Sequence, residues 1–240
     1  MDNDASYWNL SRSPYYSFIF TLPLFAVYEI MVLFLSRDQM ATLRNGADVL
    51  MRQLLALFGA WGAYALSVAF IIGFMVVFLF QKKNWSITAI RSEYLLKMLL
   101  EGTLWGFLLY VMLKYAPVLL MFPSGKILAQ QIILSIGAGL YEEFVFRVVA
   151  IALISQLLKF IFLWKRVWRI PAAIFISACL FSGFHFVGAF GEPLNLTLFF
   201  YRLFAGVLLG SLYVARGFGI TAYAHMVYDF VVVFNLTTNS

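Results

Sequence analysis

Long apolar runs separated by short polar links govern this chain. Tyr15–Ser36, Leu54–Phe80, Met98–Met121, Ile127–Leu163, Ile170–Phe190, Leu196–Val214 and Ile220–Leu236 are apolar almost throughout. A hydrocarbon core about 30 Å thick is crossed by roughly 20 residues of helix, so each run is long enough to span. None alternates polar and apolar positions as the strands of a membrane barrel do. In lipid every backbone polar group must be satisfied internally, which leaves helices. The pattern predicts an all-α fold, a polytopic membrane bundle of about seven transmembrane helices.

The links complete the plan. Met1–Pro14 is a polar lead carrying Asp2, Asp4 and Arg12, and residues 15–240 read as one integral membrane domain whose site-bearing half is 127–236. Arg37–Arg52 is a polar loop. Gln81–Lys97 holds Lys82, Lys83, Arg91, Glu93 and Lys97, with Ile87, Ile90, Tyr94 and Leu95 spaced for an amphipathic helix lying at the interface. Pro123-Ser124-Gly125 is a turn, and Gly191–Asn195 and Arg216–Gly219 are tight links. At 1.5 Å per residue Ile127–Leu163 is too long for one straight crossing. It reads as a single long span, kinked or partly interfacial near Gly137-Ala138-Gly139. The first run is long for a signal peptide and lacks a small-x-small cleavage site after it, so it reads as a retained span. With seven crossings, Lys and Arg are in excess on the N-terminal side, notably at Lys82, Lys83, Arg91, Lys97, Lys165, Arg166 and Arg169. That bias predicts a cytoplasmic N-terminus.

Composition agrees. The 240 residues are 63% hydrophobic and 12% charged, against about 45–50% and about 25% in soluble domains. The net charge of +6 is spread between the spans. It serves membrane topology and forms no basic stripe for nucleic acid. The single cysteine, Cys179, has no partner for an internal disulfide and reads as a packing residue. A small chain without a soluble domain suits a prokaryotic cell membrane.

Against this background the ionisable residues inside the spans stand out. Tyr141-Glu142-Glu143-Phe144-Val145-Phe146-Arg147 places three of them in one apolar run. A charge near the middle of a membrane helix costs roughly 2.5–3.5 kcal/mol on insertion scales. Such residues therefore face protein or a wet cavity and need partners. Glu143 and Arg147 are four apart, share a helix face and can pair. Glu142 lies about 100° round the helix, aimed elsewhere. His185 sits four residues after Phe181, with Ser182 and Gly183 leaving room beside it. His225 and Asp229 again share a face, suited to orienting an imidazole or presenting two metal ligands. These residues are expected to converge on one buried polar cavity, where they are sufficient to activate a water and stabilise an oxyanion. Glu29 and Arg202, also inside spans, read as interfacial or interhelical partners outside the site.

Glu142-Glu143-x-x-x-Arg147, Phe181-x-x-x-His185 and His225-x-x-x-Asp229, in that order on successive membrane segments, resemble the CPBP family. This is the CAAX-protease and bacteriocin-processing group of intramembrane endopeptidases, to which the eukaryotic Ras-converting endopeptidase belongs. The resemblance covers roughly Gly137 to Phe230. It implies a helical membrane fold and a glutamate-dependent peptidase acting on a membrane-associated peptide or protein. By the same resemblance Glu142 and His185 activate the water, His225 and Asp229 stabilise the oxyanion, and Glu143 with Arg147 supports them. The last position is often Asn in the family and is Asp229 here. An ionised Asp cannot donate to an oxyanion; it must be protonated, orient His225 or bind a metal. No cofactor is expected to be required, with zinc left open. Two rival functions share these features. A proton- or ion-coupled transporter uses such residues as a relay, but usually shows inverted repeats, which this chain lacks. A non-catalytic immunity or scaffold protein would keep the fold without the chemistry.

Overall fold

A computed structural model of the chain describes residues 6–34, 90–113, 128–187 and 192–238, with isolated helical positions between 68 and 79. Among the described residues every regular element is helical. The helices are α1 (Tyr7–Ser11), α2 (Pro14–Phe34), α3 (Ser92–Leu113), α4 (Leu128–Gly137), α5 (Ile151–Phe162), α6 (Arg166–Phe184), α7 (Leu196–Arg216) and α8 (Phe218–Thr238). Between α4 and α5 the chain stays helical but winds as π-helix over Ala138–Glu142 and Phe144–Ala150. The expected span Leu54–Phe80, the loop Arg37–Arg52 and the turn at Pro123-Ser124-Gly125 lie outside the described residues, apart from those isolated positions.

Local chemistry sets the boundaries. Pro14 opens α2, where its missing N–H costs nothing, and Ser13 Oγ accepts the Tyr16 N–H at 3.2 Å. Asn195 caps α7 by accepting from Thr197 N and Leu198 N. The tight α7–α8 link turns on Gly217, whose φ of +82° suits glycine. Leu163 ends α5 in a left-handed conformation, with its N–H and that of Trp164 both bonded to the Leu158 carbonyl. One expectation needs correction. The described end of Gln81–Lys97 is not a separate interfacial helix, because Ser92–Lys97 forms the first turns of α3. No Gly or Pro interrupts the stretch 92–101, and Tyr94 and Met98 are buried on one face. The polar residues ride on the exposed flank beside it, where Lys97 and Glu93 pair at 3.3 Å.

Among the described residues four helices are long and apolar enough to cross a membrane: Ser92–Leu113, Gln131–Phe162, Arg166–Phe184 and Leu196–Arg216. Gln131–Phe162 is one uninterrupted helix, so the long segment runs through without doubling back. Its 32 residues extend about 48 Å at α-helical rise, well beyond the hydrocarbon core. Large apolar side chains stay exposed on the outward faces, among them Leu100 and Leu104 of α3, Phe160 and Ile161 of α5 and Trp168 of α6. Lipid is the solvent that covers such a surface.

α8 is the hub. It packs against α2, α3, α4, α7 and both π-helical stretches, and Ile220, Ala222 and Ala224 are wholly buried. Close approach depends on small residues, as in membrane bundles generally. A Cβ on Gly106 of α3 would lie 2.7 Å from the Val227 side chain of α8. At one end of the bundle the starts of α2, α3 and α8 meet the end of α7. Arg216 binds Glu101 and Ser11 there, and the Arg91 N–H donates to the Tyr16 hydroxyl at 3.3 Å.

Candidate active site

The site begins with the change of winding. Gly137 ends α4, and the following turns bond five residues apart instead of four. Such π-helical turns are rare and recur at functional sites. Glu142 closes the first stretch and Glu143 sits between the two. Gly139 lets this helix touch α8, since a Cβ there would come within 2.5 Å of the Ala222 carbonyl oxygen and 2.9 Å of Met226 Cβ. The contact brings Glu143 against His225, the neighbour of Met226. Ser177 of α6 secures the other flank by donating to the Phe146 carbonyl at 2.5 Å.

Glu143 holds two partners at once. Its Oε1 accepts from His225 Nδ1 at 2.7 Å, and its Oε2 lies 3.1 Å from Arg147 Nε. Glu143 is 0% exposed and Arg147 1%, so neither charge has water to fall back on and each depends on the other. The Arg147 guanidinium also lies 4.5 Å above the Phe181 ring, a cation–π contact. The pairing expected from the four-residue spacing is present. The bond to His225 has no signature in the sequence, because it joins positions 82 residues apart.

His225 Nε2 lies 3.8 Å from Asp229 Oδ1, beyond hydrogen-bond length. The carboxylate that orients the imidazole is therefore Glu143, and Asp229 acts on it through charge. His185 is fixed differently. Its Nδ1 is 2.8 Å from the Phe181 carbonyl oxygen. A carbonyl only accepts, so Nδ1 carries the proton and Nε2 holds the lone pair of the neutral ring. Glu142, buried like its neighbour, interacts electrostatically with His185, His225, Asp229 and Arg147. Both imidazoles pack edge-on to Phe181, with ring centres 5.0 Å and 6.3 Å away. All six predicted site residues thus gather in one region, on the π-helical segment, the end of α6 and α8.

Several neighbours escaped sequence reading. Phe181 served there only as a spacing mark, yet it touches Arg147, His185 and His225 together. Arg202 pairs with Glu192 at 2.8 and 3.0 Å, and the Glu192 N–H donates to the His185 carbonyl at 2.9 Å. The ionisable groups flanking His185 thus include a second ion pair, in keeping with Arg202 as a partner residue. No spacing rule links Glu192 to Arg202. Glu29 likewise has an interhelical partner, accepting from the Tyr141 hydroxyl at 2.6 Å.

Among the described residues no three His, Cys, Asp or Glu side chains are grouped as ligands of one metal ion. A cavity of about 230 Å³ lies by the α1–α2 and α7–α8 links and is lined by none of the six site residues. It is not the polar cavity expected around the site.

Fold and site together define an integral membrane protein with a buried ionisable centre assembled from separate helices. Residues 123–231, which contain all six site residues, match the sequence model of the Rce1-like family, described as type II CAAX prenyl endopeptidase Rce1-like. Over that stretch the chain is similar to CAAX-type proteases of the CPBP family. No curated protein and no solved structure matches the chain.

Proposed function

We propose that the protein is a glutamate-type intramembrane endopeptidase that hydrolyses a peptide bond in a membrane-associated protein or peptide. The observation that carries this reading is the bridge through Glu143, which ties Arg147 on its own helix to His225 on α8 and leaves Glu142 beside both histidines. Glu142 takes a proton from a water whose other hydrogen is held by His185 Nε2. The hydroxide attacks the scissile carbonyl carbon. His225 sits between the Glu143 and Asp229 carboxylates, which stabilise its imidazolium form. As imidazolium it donates through Nδ1 to Glu143 and through Nε2 to the developing oxyanion. The carbon–nitrogen bond then breaks, and Glu142 returns its proton to the leaving amine. In this scheme Asp229 contributes negative charge to the imidazolium and need not donate to the oxyanion itself. No metal enters. The N-terminus lies on the cytoplasmic side of a prokaryotic cell membrane.

The test is cleavage of membrane-tethered peptides by purified protein in detergent, comparing wild type with Glu142→Gln in the presence and absence of a chelator. Cleavage that survives chelation and disappears in the variant supports the scheme. Loss on chelation with recovery on adding zinc would replace it with a metal mechanism. A wild type inactive on a broad panel would leave a proton relay, tested by flux assays, as the better account.

A further inference from the structure

The cavity of about 230 Å³ at the end of the bundle belongs to no step above. Its walls come from four places: Arg12 and Ser17 at the α1–α2 link and the first turn of α2, Tyr213 and Val214 at the end of α7, Gly217 and Phe218 at the start of α8, and Val148 on the second π-helical stretch. Ser17 is 1% exposed, and its hydroxyl is buried without a hydrogen-bond partner. A buried, unsatisfied hydroxyl on a cavity wall calls for an explanation, and a bound ligand atom supplies one. Arg12, on the same wall, is exposed and spends one donor on the Val214 carbonyl at 3.4 Å. The remaining guanidinium donors are available to an anion. Two helices of 21 residues, α2 and α8, begin here. Their positive dipole ends add to the Arg12 charge, while the Val214 carbonyl at the end of α7 opposes it. The rest of the lining, including Phe18, Val148 and Phe218, is apolar.

An anion-binding mouth with an apolar interior, at the end of a membrane bundle, selects an amphiphile. We propose that the cavity binds an anionic phospholipid, with its phosphate held by Arg12 and the Ser17 hydroxyl and the first part of an acyl chain against Phe18, Val148 and Phe218. Basic pockets between membrane helices take anionic head groups in this way. The lipid would stitch the first turns of α2 and α8 to the helix that carries Glu143. The site is separate from the candidate active site, so it does not depend on the peptidase reading.

The experiment is thermal unfolding of the purified full chain in a neutral detergent, titrated separately with dioleoylphosphatidylglycerol, dioleoylphosphatidylcholine and inorganic phosphate. A ligand that binds only the folded state raises the midpoint. Phosphatidylglycerol should raise it; phosphatidylcholine, whose choline ammonium offsets its phosphate beside the Arg12 guanidinium and the helix N-termini, and free phosphate, which has no acyl chain, should not. Arg12→Gln should shift the concentration needed about tenfold upward, as loss of a charged hydrogen bond does. Ser17→Ala supplies an independent arm. Without lipid it should unfold at the wild-type temperature or above, because it removes an unsatisfied buried hydroxyl, yet it should need several-fold more lipid. An equal response to both lipids, an equal response to free phosphate, or wild-type titrations in both variants would overturn the proposal.

Discussion

The close approach at Gly139 gives the sharpest test of how the site is held together. Gly139→Ala puts a methyl group 2.5 Å from the Ala222 carbonyl oxygen and 2.9 Å from Met226 Cβ. The first obstacle is backbone, so no side chain can swing away. Reaching an ordinary contact of about 3.4 Å requires the two helices to part by about 0.9 Å. The same movement stretches the Glu143–His225 bond from 2.7 Å to about 3.6 Å, past hydrogen-bond length. Overpacking of this kind costs about 1–3 kcal/mol, partly offset by up to ~1 kcal/mol because alanine is the better helix former. Net stability should fall modestly. Activity should fall much further, because a misplacement of about 1 Å in a catalytic constellation can cost ~100-fold. Gly183→Ala is the matched control, since its Cβ meets nothing within 4 Å and it should be neutral or slightly stabilising. Thermal unfolding and single-turnover peptide cleavage of both variants provide the comparison. If Gly139→Ala cleaves as fast as wild type and as Gly183→Ala, the close packing does not hold Glu143 to His225.

Other outcomes follow from the same contacts. Glu143→Ala strands the buried Arg147 and should lower stability by about 3–5 kcal/mol; the double variant Glu143→Ala/Arg147→Met should recover most of that in denaturant unfolding while remaining inactive. Glu142→Gln should abolish cleavage with the unfolding midpoint little changed, and chelation should leave wild-type cleavage intact. At the bundle end, burial and the hydrogen bond to Glu101 push the Tyr7 phenol pKa up. A raised folded pKa favours the protonated form, so the stability it adds is present below the ordinary phenol pKa of about 10 and is lost as pH climbs above it. Tyr7→Phe should therefore unfold at a lower temperature at neutral pH and show a shallower alkaline decline, measured by thermal scans between pH 7 and 11.

What could be read from the sequence depended on the range of the interaction involved. Apolar runs placed α2, α7 and α8 near their observed limits, because length and hydropathy are local properties; α6 begins four residues before and ends six residues before the expected Ile170–Phe190. The start of α3 was missed for a local reason too: charged residues at Arg91, Glu93 and Lys97 suggested an interfacial helix, but the polar face simply extends the end of a span. Four-residue spacing found the Glu143–Arg147 pair, and the family resemblance covered the segment that carries the site. The bond from Glu143 to His225, the shared Phe181 ring and the Glu192–Arg202 pair join separate helices, and no periodicity encodes them. The π-helical winding was not foreseen either. The glycines at 137 and 139 suggested a kink, whereas the chain stays helical there with π winding, and Gly139 lies against α8.

The position of α8 in chain order has a consequence for biosynthesis. Glu143 emerges from the ribosome 82 residues before the histidine it binds, an interval of roughly 4–16 s at translation rates of about 5–20 residues per second. Throughout that time Arg147 is the partner its own helix supplies, so the ion pair acts first as an escort for a charge entering lipid. The candidate site stays incomplete until α8, which carries His225 and Asp229, has been inserted and packed, so the nascent chain holds its buried charges for that interval without the residues that complete the cluster.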